Sequence, residues 1–262
     1  MKKWQKNLSI TVASVLLTVS LAGCGGKAEP ASGKDQKKIA VGIGADAFPF
    51  GYVDTGDNKT KGFDLDIAAA IVKDITGSED NIEYVEVNGK TRIPMLKNGD
   101  IDLIVRTMTI TEERKQEVDF SDPYFSAGQS LLVPENSAIT SIADLKGKKV
   151  IAVKGTRDGK VIEEKSPEAV VSEYENLGEA FTALSTGKGD VLTTDNAILM
   201  GLALENPGYK LVGGVIEDQP WGIAVRKGDK EMLDKVNASL KKLKETGEYD
   251  KIYEKWLKQK PE

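Results

Sequence analysis

Leu96-Lys-Asn-Gly-Asp-Ile-Asp102, "LKNGDID", sets leucine, glycine and aspartate at regular steps, and Leu184-Ser-Thr-Gly-Lys-Gly-Asp190 repeats that spacing. Each copy follows a helix-like run and precedes a short apolar strand, Leu103–Val105 in one case and Val191–Thr193 in the other. One such junction carries little information, because a glycine between helix and strand is common. Two with equivalent flanks predict two α/β lobes of related plan. Counting five residues beyond each aspartate reaches Thr107 and Asp195. Open parallel sheets hold ligands beyond the carboxyl ends of their strands. Two lobes facing each other would therefore line a cleft with these residues.

Outward from the first copy, the apolar run Ile101–Val105 leads into Val105–Lys115, "VRTMTITEERK". Thr111 followed by Glu112 and Glu113 reads as a helix start, with a hydroxyl N-cap and acids in the first turn. This corner carries Arg106, Arg114 and three threonines. Upstream, Lys38–Ile43 reads as a strand. Gly62 opens a helix whose apolar residues Phe63, Ile67, Ile71 and Ile75 recur at fours until Gly77, with Asp64 and Asp66 at its favourable N-terminal end. Ile82–Val87 alternates as a second strand. Strands alternating with helices argue an α/β architecture. At the other end, Leu233, Val236, Leu240 and Leu243, then Ile252, Tyr253, Trp256 and Leu257 after the break at Gly247, form two apolar helix faces that read as packing.

Composition narrows the function. The chain has 262 residues, a net charge of −5, no histidine and one cysteine. Acidity argues against a nucleic-acid partner held by phosphate neutralisation. Without histidine there is no Ser-His-Asp triad, and most transition-metal sites lose their usual ligand; no metal and no cofactor is expected. At the start, Lys2 and Lys3 precede an apolar stretch from Leu8 to Ala22 and then Leu21-Ala-Gly-Cys24. That order is a secretory signal, too short to span a bilayer comfortably. "LAGC" resembles a bacterial lipobox, which implies a signal over residues 1–23, lipidation at Cys24 and a tether, Gly/Ser/Pro/Lys-rich, over 24–37.

"GFDLDIA", "VRTMTITEERKQEVDFSDPYF", "DLKGKKVIAVKGT" and "VLTTDNAIL" together resemble the extracytoplasmic solute-binding proteins of polar amino-acid ABC transporters, across essentially the whole chain. The resemblance implies a type II periplasmic-binding-protein-like α/β fold, two Rossmann-like lobes joined by two crossover strands. The crossings should fall near Phe125–Gln129 and Glu217–Trp221, giving a discontinuous first lobe, 38–126 plus 220–262, and a second lobe, 127–219. It also implies a monomer outside the cytoplasm, anchored to the cell membrane by its lipid, that hands one amino acid to a permease. No Gly-x-x-x-x-Gly-Lys-Ser/Thr loop occurs here, so the ATPase is a separate chain.

The same resemblance carries roles to individual residues. Arg114 matches the carboxylate-binding arginine, whose planar fork can hold both oxygens. Thr109 and the backbone around Thr107 and Met108 match further carboxylate contacts, and Asp195 matches the acid that takes the ligand ammonium. Gly155-Thr156 lies where backbone N–H groups can point at an anion. Asp195 has an alternative use as a plain helix cap. Two further arginines bear on selectivity. Arg92 in "KTRIP" and Arg106 in "VRTMT" resemble the glutamate- or aspartate-binding members, and three guanidiniums around one small ligand would call for a second carboxylate. Glutamate is the expected ligand, aspartate the next, glutamine the alternative; Arg92 has the plainer option of pairing with Glu86. The chain departs from the pattern at Arg157, where many members carry Thr, and at Ala47, where many carry an aromatic ring. Arg157 could reach the ligand or close an interlobe ion pair, and Phe48 or Phe50 could lie over its carbon chain. Rival readings are an enzyme on the same scaffold and a surface lipoprotein with no transport role.

Overall fold

The structure, a computed structural model, describes residues 38–258. The signal, Cys24 and the tether lie outside the described residues. In chain order, β1 (Ile39–Ile43) is followed by a small antiparallel sheet of β2 (Asp46–Ala47), β3 (Gly51–Asp54) and β4 (Lys59–Lys61). Next come α1 (Phe63–Thr76), β5 (Ile82–Glu86), α2 (Arg92–Asn98), β6 (Leu103–Ile104), α3 (Glu112–Lys115) and β7 (Val118–Phe120). The long β8 (Phe125–Pro134) leads to β9 (Lys149–Val153), α4 (Asp158–Lys165), β10 (Val170–Tyr174), α5 (Leu177–Ser185), β11 (Val191–Asp195) and α6 (Asn196–Glu205). The equally long β12 (Tyr209–Trp221) returns to β13 (Ala224–Arg226), α7 (Lys230–Glu245) and α8 (Glu248–Leu257).

Two five-stranded sheets result, with orders β5-β1-β6-β13-β7 and β10-β9-β11-β8-β12. The fold is the expected two-lobed α/β arrangement of mixed sheets. β8 and β12 pair antiparallel, and Phe125 faces Trp221 while Gln129 faces Glu217. Their shared ends lie against the first sheet through Phe125, Trp221, Phe50 and Phe63, whose rings pack at 4.6–5.9 Å between centroids.

The repeated spacing has a physical basis. Leu96 and Leu184 are buried under their sheets. Gly99 and Gly187 both adopt left-handed φ, 86° and 72°, which a residue with a Cβ reaches only at a cost. The two aspartates then make matching contacts. Asp102 N–H donates to the Ala40 carbonyl at 2.7 Å and its carboxylate accepts from Ala40 N–H at 3.1 Å. Asp190 does the same with Lys149, at 2.8 and 2.7 Å. Each aspartate thus pins the start of one parallel strand, β1 or β9, to the strand that follows the aspartate.

α1 forms where the four-residue periodicity places it, with Gly77 as a left-handed C-cap. Asp64 is not a solvated partner of its dipole, however. It is buried, and accepts from Thr107 N–H at 2.9 Å and from the Tyr124 hydroxyl at 2.9 Å. α7 and α8 return to α1: Ser239 and Lys242 donate to Asp74, and the Trp256 indole donates to Asp66 at 2.7 Å.

Candidate ligand-binding site

Between the sheets lies a cavity lined by Arg92, Arg106 and Arg114, by Asp46, Asp158 and Asp195, and by the polar residues Thr107, Thr109, Thr156, Thr194 and Gln219. Ala47, Val153, Leu177 and Ile198 supply its apolar wall. Local sequence explains how each charged group arrives there.

Thr111 caps α3 by accepting from Arg114 N–H at 3.1 Å, which fixes Arg114 at the corner. One Arg114 terminal nitrogen donates to the Thr109 carbonyl at 2.8 Å, and the other reaches across to the Gly155 carbonyl at 3.1 Å. Arg92 opens α2 and is only 2% exposed. Its terminal nitrogens donate to the carbonyls of Arg106 (3.1 Å) and Gly155 (3.3 Å), and burial followed by the charges of Arg114 and Arg106 lowers its pKa. Among the ion pairs of the described residues, Arg92 has none with Glu86. The Gly155 carbonyl accepts from both arginines; its φ of 76° suits glycine, and a Cβ there would sit 2.4 Å from the Gly89 backbone.

Arg106 ends the strand run and lies over Gly44, where a Cβ would come within 2.9 Å of its Nε. It donates to Asp46 Oδ1 at 3.0 Å. The other Asp46 oxygen accepts from Leu177 N–H at 3.2 Å, the first residue of α5. Thr107 next to it has φ 36°, an outlier for a β-branched residue. Asp64 holds that strained backbone N–H, and burial pushes the Asp64 pKa up to about 7.

Asp195 occupies the N-cap position of α6 but makes no side-chain capping bond, so its use as a plain cap is not what the structure shows. It is 5% exposed, and burial, then the neighbouring Asp158 carboxylate, push its pKa well above the ordinary carboxylate range. Burial raises Asp158 as well. Gln219 donates to Asp158 Oδ1 at 3.3 Å and accepts from the Thr109 hydroxyl at 3.3 Å, linking both walls of the cavity along β12. Thr156 lines the cavity while its hydroxyl donates to the Val153 carbonyl at 2.7 Å.

Buried polar atoms without a partner are expensive and uncommon. Among the described residues, Arg92 Nε, Arg106 Nε, Asp195 Oδ1 and Trp221 Nε1 have no partner of good geometry, although the Trp221 indole lies near enough to Asp195 to lower its pKa. Three of the four belong to residues of this one cavity, two donors and one acceptor. A small molecule with both an anionic and a cationic end fits such a set.

Several side chains named from the sequence point elsewhere, among them Phe50, which is buried against Phe63, Phe125 and Trp221. The Met108 side chain is fully buried in an apolar cluster with Leu96, Ile101 and Ile104, which leaves only its backbone on the side of the cavity residues Thr107 and Thr109. Phe48 packs edge-on to Tyr52 at 4.9 Å and lines an outer groove beside α6. Arg157 pairs with Glu217 at 2.8 Å and with Glu164 at 3.5 Å. Asp46, Asp158, Thr194 and Gln219 were missed. Only Asp158 carries a sequence signal, as the acid that opens a helix directly after Gly155-Thr156-Arg157.

Residues 39–259 match the family described as bacterial extracellular solute-binding proteins, family 3. A glutamine-binding protein of a Bacillus subtilis ABC transporter is 52% identical, covering 98% of this chain and 99% of its own. A glutamine-binding protein of Geobacillus stearothermophilus is 43% identical over 87% of this chain and 94% of its own. A solved structure of an ancestral arginine-binding protein bound to glutamine superposes with a TM-score of 0.81 at 42% identity, covering 86% of this chain and all of that one. These relatives overturn the expected glutamate or aspartate selectivity. The physical reason is that the three arginines form no surplus: three aspartates line the same cavity, and Arg106 is already matched by Asp46.

Proposed function

The chain belongs to the bacterial extracellular solute-binding proteins of family 3, and on that premise we propose that this amino-acid ABC-transporter component is a receptor for glutamine. One observation carries the reading. The cavity is lined by three arginines and three aspartates. With the ligand ammonium in place and the Asp158–Asp195 pair ionised, a zwitterion with an uncharged side chain keeps that balance, whereas a second carboxylate would leave one negative charge unmatched in a buried place, at a cost of about 3 kcal/mol or more. The name of the 52%-identical relative supports the same ligand.

In this reading the α-carboxylate docks on Arg114, with Thr109 and the Thr107 corner beside it. Asp195, backed by Asp158, receives the ammonium from the second lobe, and Gly155-Thr156 closes over the carboxylate side. The lobes are divided within β8 and β12, 38–126 with 220–262 on one side and 127–219 on the other. Contacts made only with the lobes together shift the population to the closed form. The receptor works as a monomer, is held at the membrane by a lipid on Cys24, and delivers its ligand to a permease.

Titration calorimetry of the purified protein tests the ligand. Glutamine is expected to bind at least about a hundredfold more tightly than glutamate, about 2.7 kcal/mol. Equal affinities, or tighter glutamate, would overturn the reading.

A further inference from the structure

We propose that Asp46 is the residue that excludes acidic amino acids from this site, by neutralising Arg106 at the cavity wall; the inference rests on the glutamine reading above. The arginines of the cavity differ in how their charge is met. Arg92 and Arg114 donate their terminal nitrogens to uncharged carbonyls, of Arg106, Thr109 and Gly155. Arg106 alone has a carboxylate within ion-pair distance, Asp46 at 3.0 Å. Without that carboxylate, Arg106 would be a partly buried cation beside the ligand, with one cavity-lining neighbour fewer to balance it. A ligand bearing a second carboxylate would then supply the missing charge.

The contact is built rather than incidental. Gly44 leaves room for the Arg106 side chain, where any Cβ would collide with it. The second oxygen of Asp46 accepts from Leu177 N–H at the start of α5, so the carboxylate is held from both sides of the cleft. A helix N-terminus favours a negative charge there. Asp46 thus occupies, from the protein's own chain, the place in the charge balance that a ligand's side-chain carboxylate would take.

A purely mechanical role for Asp46, holding α5 against the first lobe, makes a different prediction. Loss of the contact would then weaken all ligands alike. Asp46→Asn preserves the volume and an acceptor oxygen but removes the charge. The ratio of glutamate to glutamine dissociation constants, measured by calorimetry, is expected to fall at least about tenfold in this variant. Arg106→Gln is expected to move the ratio the other way, and the double variant Asp46→Asn/Arg106→Gln to return it toward the wild-type value. An unchanged ratio in Asp46→Asn, with both affinities lowered equally, overturns the proposal. If Asp46→Asn does not fold, Arg106→Gln decides, because an unchanged ratio there overturns it equally. The wild-type titration separates the two layers: wild-type protein that prefers glutamate, or binds neither, removes the glutamine reading itself.

Discussion

Asp195 and Asp158 are two buried carboxylates close enough to oppose each other's ionisation. Burial and their mutual repulsion favour a proton on the pair, and a bound ammonium favours its loss. Binding therefore lowers the raised pKa and releases protons. The sign follows from linkage: affinity for glutamine should rise with pH up to the raised value of the unliganded pair, and level off above it. Calorimetry in two buffers of different ionisation enthalpy measures the release; no release anywhere in that window would contradict the assignment. Asp195→Asn should weaken glutamine by about a hundredfold or more, because an ammonium would be buried without its counter-charge. At this scale the sequence is legible only in part. That an arginine ending a buried strand needs a partner was legible at Arg106. Which carboxylate answers it was not, because Asp46 lies in a two-residue strand and meets Arg106 only through the fold. Without Asp46 the three arginines point to an acidic ligand, and with it they do not.

Two glycines set how closely the elements meet across the cleft. A Cβ on Gly201, in the middle of α6, would come within 2.2 Å of the Phe48 carbonyl oxygen, and one on Gly89 within 2.5 Å of the Lys154 carbonyl oxygen. Gly201→Ala should therefore hinder approach of the lobes while leaving each lobe intact, and alanine suits a helix better than glycine by about 1 kcal/mol. Glutamine affinity is expected to fall about tenfold or more, with the unliganded melting temperature unchanged or slightly raised. A variant that melts earlier and binds normally would show that the contact supports the fold instead. The elements themselves were largely legible. The four-residue period gave α1, and Thr111 with its following acids gave the start of α3. The duplicated leucine–glycine–aspartate spacing marked equivalent places in both sheets, since its aspartates pin β1 and β9 alike. Short strands such as β2 leave too few residues for a period to register.

Across the molecule, several contacts join the two sides of the cleft. Arg92 and Arg114 share the Gly155 carbonyl, Asp46 meets the start of α5, and Lys90 pairs with Glu175 at 2.7 Å. The exposed Lys90–Glu175 pair contributes little by itself, because water screens it. The buried polar groups around the cavity matter more, because separating the lobes returns them to water and ligand binding engages them again. Fold and family were readable from motif residues spread over the whole chain. Selectivity was not, because it depends on the summed charge around one small space, to which residues far apart in sequence contribute. The most direct test of that sum is a thermal-shift panel of the twenty amino acids on the purified protein. Glutamine at a hundred times its dissociation constant should raise stability by about 2.7 kcal/mol and give the largest shift of the set, with glutamate well behind. A panel led by glutamate or aspartate, or one in which no amino acid moves the melting temperature, would contradict the account.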